Sequence, residues 1–204
     1  MMDLFYAPET ISVVVAITLE EAGISYTPRR VDFASAEQAQ APYLSVNPKG
    51  RVPALVTDFG ALTETGAILD YIATMSPALI PDDPFEAARM REVMYYLAST
   101  MHIAHAHKLR GSRWADRAES FADMRAKVPQ TFAASCAYLE STYPLDPYVL
   151  GSEFSLADPY LFVIASWGVG DGVDMSAYPK LEAFAQAMRS RPSVQSVISK
   201  GMIK

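Results

Sequence analysis

The 204-residue sequence is short of cysteine, histidine and tryptophan, with one, three and two of each. The single cysteine, Cys136, excludes an intrachain disulfide and suits a reducing compartment. The histidines are His102, His105 and His107. On a helix that spacing does not bring all three to one face, and neither cysteine nor a close set of carboxylates accompanies them, so no metal site is expected. Positive charge is also in deficit: 17 Lys and Arg stand against 23 Asp and Glu, for a net charge of -6 and a pI near 5.1. That balance argues against a general nucleic-acid footprint. No run of about 18 apolar residues occurs, so no membrane span is expected. The opening Met1-Met2-Asp3-Leu4-Phe5-Tyr6 lacks the basic flank and apolar centre of a secretion signal, and a cytoplasmic location is expected.

What remains is an ordinary globular composition, half hydrophobic and one fifth charged. Asp3–Ala7 is short, apolar and partly aromatic and predicts a buried strand. A helix follows from Thr10 or Ser12 to about Ala22, closed by Gly23. Its apolar residues leave almost no polar face, which predicts burial on all sides. Residues 24–33 predict a second strand, with Pro28 pointing to an edge or a bulge. Ser35-Ala36-Glu37-Gln38 has capping-box spacing ahead of a short helix through Leu44. Residues 54–57 and 61–63 predict a hairpin about Asp58-Phe59-Gly60, and Thr65–Met75 a helix. The order β-α-β-α-β-β-α thus fills residues 1–76. Residues 77–84, rich in proline and aspartate, predict a linker. The segment 85–204 is helical throughout. It holds one helix from Phe85 to about Arg110, a second from about Arg117 to Thr142 with Pro129 inside, and an all-apolar helix after Ser155-Leu156-Ala157-Asp158. Two shorter helices close the chain, each beginning near a proline.

Three motifs, in order, resemble those of the cytosolic glutathione transferase superfamily. They are Asn47-Pro48-Lys49-Gly50-Arg51-Val52-Pro53-Ala54-Leu55, Glu64-Thr65-Gly66-Ala67-Ile68 and Phe154-Ser155-Leu156-Ala157-Asp158. The start, Leu4 to Ser12, is most similar to the bacterial beta-like branch. The resemblance implies an α/β plus all-α fold, with a thioredoxin-like domain over 1–76, a linker over 77–84 and a helical domain over 85–204. It implies a homodimer, with glutathione as co-substrate and a small apolar electrophile held between the domains. Pro53 would be a cis proline, and Val52 would pair its backbone with the cysteinyl part of glutathione. Glu64 and Thr65 would take the γ-glutamyl amine and carboxylate, in keeping with a helix start that favours an anion. Arg51 would bind the glycyl carboxylate or point to solvent.

The chain departs from that branch at the start of the first helix, where Ile11 replaces the branch's cysteine. A mixed disulfide at that position is excluded. The groups left to assist the bound thiol are Ser12, then Thr10, then Tyr6. His102, Ser99 and Trp114 are expected to line the electrophile pocket. Pro159, directly after the third motif, is expected to loosen that helix start. The leading expectation is a transferase that activates the glutathione thiol. The alternatives are a glutathione-dependent disulfide reductase or peroxidase, and a binding module of the same fold without turnover.

Overall fold

The computed structural model describes residues 2–204. The chain divides into two compact units, one of residues 1–80 with 189–204, the other of residues 81–188. The first unit opens with strand β1 (Asp3–Tyr6), helix α1 (Ser12–Glu21) and strand β2 (Thr27–Arg30). A short helix α2 (Ala41–Leu44), strands β3 (Ala54–Thr57) and β4 (Gly60–Thr63) and helix α3 (Thr65–Ala73) complete the expected order.

The four strands form one sheet in the order β2-β1-β3-β4. β1 runs parallel to β2 and antiparallel to β3, and β4 returns on β3 with Leu62 opposite Leu55. Pro28 therefore lies on an edge strand, the position open to a residue without an N–H. Strand β2 is shorter than its apolar pattern, covering only Thr27–Arg30. The Ser35 capping box does not form. Ala36 adopts a left-handed φ of 54°, Ser35 Oγ donates instead to the Asp32 carbonyl at 3.2 Å, and only a single 3-10 turn, Glu37–Ala39, follows. The local Asp32 acceptors outcompete the helix N-terminus for the serine.

The C-terminal helix was expected with the helical domain, but it packs elsewhere. Helix α9 (Pro192–Ser199) lies on α1, inside the first unit. Arg191 pairs with Glu21, Ser193 Oγ bonds Glu21 at 2.7 Å, Lys200 pairs with Glu20, and Ser196 Oγ bonds Glu20 at 2.9 Å. Burial pushes both carboxyls up. Their bonds from Lys200, Ser196 and Tyr26 to Glu20, and from Arg191 and Ser193 to Glu21, outweigh it and hold both below the usual carboxylate range. The apolar girth of α1 follows directly: Val13, Val14, Val15, Ala16, Ile17 and Leu19 are all fully buried because β1, α3 and α9 surround the helix.

The second unit begins with α4 (Pro84–Tyr96), capped by Asp83, whose carboxylate accepts from the Phe85 and Glu86 N–H groups at 2.9 Å each. The single long helix expected to Arg110 is interrupted. A π-helical segment, Leu97–Met101, separates α4 from α5 (His102–Ala106). Helix α6 (Ala118–Thr142) runs through Pro129, and α7 (Ala157–Ala165) is buried at every position. Helix α8 (Pro179–Arg189) ends the unit. The start of α7 is tightly held despite Pro159. The buried Asp158 carboxylate accepts from Ser155 N at 2.6 Å, Ser155 Oγ at 3.1 Å and Val149 N at 2.7 Å. The proline removes an N–H that the first turn does not use.

Candidate functional site

The loop from Asn47 to Pro53 is built to present one peptide group. Asn47 is 1% exposed. Its Nδ2 donates to the Arg51 carbonyl at 2.6 Å, and its Oδ1 accepts from Lys49 N at 3.1 Å. The Tyr43 hydroxyl donates to the same carbonyl at 2.6 Å. Burial pushes the Tyr43 phenol up to about 12, so it remains a donor at neutral pH. Gly50, at φ 61°, supplies the left-handed turn between them, and a Cβ there would meet the Gln38 carbonyl at 3.0 Å. Two donors thus pin the Arg51 carbonyl inward. Across the trans peptide the Val52 N–H points the opposite way. Among the described residues neither the N–H nor the carbonyl of Val52 has a hydrogen-bond partner. The bond from Val52 to Pro53 is cis, as the motif implies.

The second element is the start of α3. Glu64 sits at φ 73° and ψ 118°, a backbone region that costs a non-glycine residue of order 1–3 kcal/mol. That turn leaves the Thr65 hydroxyl and the first-turn N–H groups of α3 without a side-chain cap. The Glu64 carboxylate is 71% exposed and pairs with Lys49, whose Nζ also donates to Thr63 Oγ1 at 2.7 Å. A free backbone edge before β3, with an uncapped helix start and a carboxylate after β4, suits a small peptide carrying an ammonium and a carboxylate. Arg51 is exposed and its guanidinium takes no partner among the described residues.

The third element, the start of α1, is arranged differently from expectation. Ser12 is fully buried. Its Oγ accepts from Ala7 N at 3.1 Å, lies 3.2 Å from the Ala7 carbonyl and is 2.7 Å from Thr10 Oγ1. Thr10 Oγ1 donates to the Ala7 carbonyl at 2.8 Å and is half-buried. The two hydroxyls form a clasp over the end of β1, and of the pair only Thr10 reaches the surface. The Ile11 N–H has no acceptor among the described residues, whereas Val13 N and Val14 N bond the Thr10 and Ile11 carbonyls at 3.0 and 3.1 Å. Tyr6 is buried on the Leu4 side of β1. Phe5, on the opposite side, packs with Tyr43, Ala7 and Val52. Strand alternation therefore turns the Tyr6 ring away from the face that carries the Val52 loop.

In the second unit the three histidines part company. His102 and His105 both pack on Trp167, with ring centroids 5.2 and 4.2 Å away, while His107 packs edge-on to Trp114 at 4.7 Å. Trp114 and His102 thus have different aromatic partners. Ser99 is exposed and bonds the Tyr95 carbonyl at 2.8 Å. Sequence reasoning missed a carboxylate here. Asp171 is buried, and its Oδ2 lies 2.6 Å from His105 Nδ1 while its Oδ1 lies 3.1 Å from Lys108 Nζ. The pair is separated by 66 residues. The only local hint was an aspartate in the glycine-rich run Gly168–Gly172 directly after an all-apolar helix. Cys136 is buried in α6, which pushes its thiol up to about 12, with the Glu140 charge adding to the effect. It is a packed residue with no thiolate character.

Residues 1–74 match the family description "Glutathione S-transferase, N-terminal domain", and residues 89–192 match "Glutathione S-transferase, C-terminal domain". Glutathione S-transferase GstA of Escherichia coli O157:H7 is 30% identical over 97% of this chain and 98% of its own. The crystal structure of a glutathione transferase homologue from Sulfitobacter, with bound glutathione, superposes with a TM-score of 0.97 at 58% identity, covering 99% of each chain. A bacterial beta-class glutathione S-transferase from Sphingomonas chungbukensis superposes with a TM-score of 0.83 at 34% identity over 98% of each chain. With its thioredoxin-like sheet, its helical second unit and these matches along nearly its whole length, the chain belongs to the cytosolic glutathione transferase superfamily.

Proposed function

We propose that the protein binds glutathione along the Val52 edge and activates its thiol for attack on a small apolar electrophile. The observation that carries this reading is the outward Val52 peptide, pinned by Tyr43 and Asn47 and left without a hydrogen-bond partner among the described residues. The bound glutathione in the Sulfitobacter homologue supports the choice of ligand. The cysteinyl segment of glutathione pairs with Val52 as an added strand. Its γ-glutamyl carboxylate takes the Thr65 hydroxyl and the α3 N–H groups. Its ammonium displaces Lys49 from Glu64.

The thiol is held at the start of α1. Thr10 Oγ1 and the Ile11 N–H are the donors placed to meet it. Ser12 acts one step behind, as a positioning residue. When the Ser12 hydroxyl donates to the Ala7 carbonyl, the Thr10 hydrogen is released to turn toward the sulfur. A free thiol ionises near about 8.5, and each unit of depression corresponds to about 1.4 kcal/mol of preference for the thiolate. Ile11 leaves no protein thiol at this point, so the chemistry proceeds on glutathione itself, by positioning and ionisation.

The test is calorimetric titration with glutathione, followed by conjugation of an aromatic halide. Saturable binding with turnover is the expected result. A folded protein that takes up no glutathione would sink the reading. Binding without conjugation, but with turnover of a glutathione-linked disulfide, would replace it with a reductase.

A further inference from the structure

Residues 189–204 belong to the same compact unit as the sheet, and they bond the chain at both ends of α1. Glu20 and Glu21, in its last turn, are tied to Lys200, Ser196, Arg191 and Ser193. Just ahead of its first turn, the Glu9 N–H donates to the Met202 carbonyl at 2.9 Å. That carbonyl is held from its own side. Helix α9 closes in a Schellman turn, in which Gly201 N donates to the Ile198 carbonyl at 2.9 Å and Met202 N to the Val197 carbonyl at 3.0 Å. Gly201 takes a φ of 66°, and a Cβ there would meet nothing within 4 Å, so the backbone conformation alone calls for glycine. Met202 and Ile203 are 1% and 3% exposed, and Arg189 Nη1 donates to the Lys204 carbonyl at 2.9 Å. Met202 thus bonds α9 through its N–H and Glu9 through its carbonyl, and its side chain is buried.

Glu9 needs such a partner. Its φ is 59°, a left-handed conformation that a residue with a Cβ adopts only where its surroundings hold it. Pro8, directly ahead, has no N–H to tie down, so the Glu9 N–H is the first backbone donor after Ala7. The next two donors, the N–H groups of Thr10 and Ile11, have no acceptor among the described residues. Successive unpaired N–H groups in a turn make a seat for an anion. Their direction is set at Glu9, because rotating that residue out of the left-handed region swings the peptide that follows it.

We propose that Met202 is a positioning residue for thiol activation: its carbonyl fixes the left-handed turn at Glu9 and so aims the Thr10 and Ile11 donors at the bound sulfur. The proposal rests on the glutathione reading above and deepens it by assigning control of thiol ionisation to the turn that ends α9. With the Glu9 bond intact, the Thr10 hydroxyl and the Ile11 N–H meet the sulfur and favour its ionised form. With the bond lost, Glu9 relaxes to a negative φ, the donors swing away, and the thiol keeps its proton to higher pH. The Val52 edge and the start of α3 hold the rest of the peptide in either case, so binding and activation come apart.

The experiment compares Gly201→Val and Gly201→Asn with the wild-type protein. A β-branched residue is strained in the left-handed region, so valine displaces the Met202 carbonyl, whereas asparagine tolerates the turn. The readouts are hydrogen exchange of the Glu9 amide without ligand, ultraviolet titration of the thiolate of bound glutathione with kcat alongside, and affinity for S-methylglutathione, which has no ionisable thiol. In Gly201→Val the Glu9 amide exchanges about 3- to 10-fold faster, as for the loss of one hydrogen bond. The bound thiol ionises about 0.5–1 pH unit higher, and kcat at neutral pH falls by about 3- to 10-fold. Affinity for S-methylglutathione stays within about twofold of wild type, a split that general loss of structure would not produce, and Gly201→Asn behaves as wild type throughout. Met202→Ala, which removes the buried anchor, moves the thiol in the same direction, and Met202→Leu restores it. That pair decides the matter should Gly201→Val fail to fold. An unprotected Glu9 amide in the wild-type protein, a thiol that does not move once Glu9 exchange has accelerated, the same shift in Gly201→Asn, or a parallel loss of S-methylglutathione affinity would each overturn the assignment. A wild-type protein that takes up no glutathione removes the glutathione reading and this one together, whereas normal uptake with an unmoved thiol removes this one alone.

Discussion

Two helix starts in the first unit use the same residue types to opposite ends. At α3 the turn through Glu64 leaves the Thr65 hydroxyl and the first-turn N–H groups uncapped. At α1 the two hydroxyls, Thr10 and Ser12, close on each other and on both polar groups of Ala7. The first lacks a side-chain cap and the second is largely satisfied from within. A hydroxyl at a helix start is therefore not by itself a binding group. Whether it serves a ligand depends on whether the preceding loop offers it a nearer partner. Here the end of β1 passes close enough to Ser12 to do so, while the Thr65 hydroxyl takes no hydrogen-bond partner among the described residues.

That contrast can be broken from the open side first. Replacing Glu64 with Ala removes the carboxylate expected to meet the ligand ammonium, a charged interaction worth about 1.5–3 kcal/mol. Glutathione affinity should fall by about 10- to 100-fold in a calorimetric titration, with thermal stability little changed because the side chain is exposed. Asn47→Ala works one step back. It leaves the Arg51 carbonyl to Tyr43 alone and strips the Lys49 N–H of its acceptor. Affinity should fall by about tenfold, and unfolding stability by about 1–3 kcal/mol in a denaturant titration.

On the closed side, Ser12→Ala leaves the Ala7 N–H buried without its acceptor. It should cost about 1–2 kcal/mol of stability and lower kcat by a few-fold, with glutathione affinity unchanged. Loss of affinity with normal kcat would mean that Ser12 meets the ligand directly and that the clasp opens on binding.

A fourth test concerns the attachment of α9 to α1. The Glu20 and Glu21 carboxyls are held below their usual range, so their contribution to stability is present above the unfolded-state value and is lost as pH falls through the lower folded-state values. Hydrogen exchange of α9 should accelerate below about pH 4 before the sheet does. The smallest effect is expected from Lys49→Met. Its pair with Glu64 is exposed, worth about 0–1 kcal/mol, and removing it should tighten glutathione binding by less than about threefold.

The legibility of the protein differs from place to place for identifiable reasons. The bend at Asn47–Pro53 was readable because a proline, a glycine and an asparagine at close spacing dictate a loop from their own backbone preferences, whereas Val52 as its exposed edge was only what the family resemblance implied. The place of Glu64 and Thr65 at a helix start was readable because a hairpin strand ends directly before an apolar helix. Tyr43 as the second donor to Arg51 was not, since the reach of a tyrosine from a four-residue helix depends on how that helix lies on Phe5. The Ser35 capping box was read and did not form, because the competing Asp32 carbonyl becomes available only once the chain turns there.

Local sequence by itself determined the strand and helix order of the first unit, the bend at Asn47–Pro53, the burial of α1 and α7 and the absence of a thiol at the start of α1. All of these follow from hydrophobic period, turn residues and residue identity within about ten positions. Tertiary structure alone decided that α9 covers α1, that Ser12 is enclosed while Thr10 reaches the surface, and that Asp171 comes to lie beneath His105. These depend on groups brought together from 66 to 180 residues apart, or on the exact approach of one backbone turn to a hydroxyl. No periodicity encodes such meetings, because they are settled by which buried polar groups find partners once the apolar faces have packed.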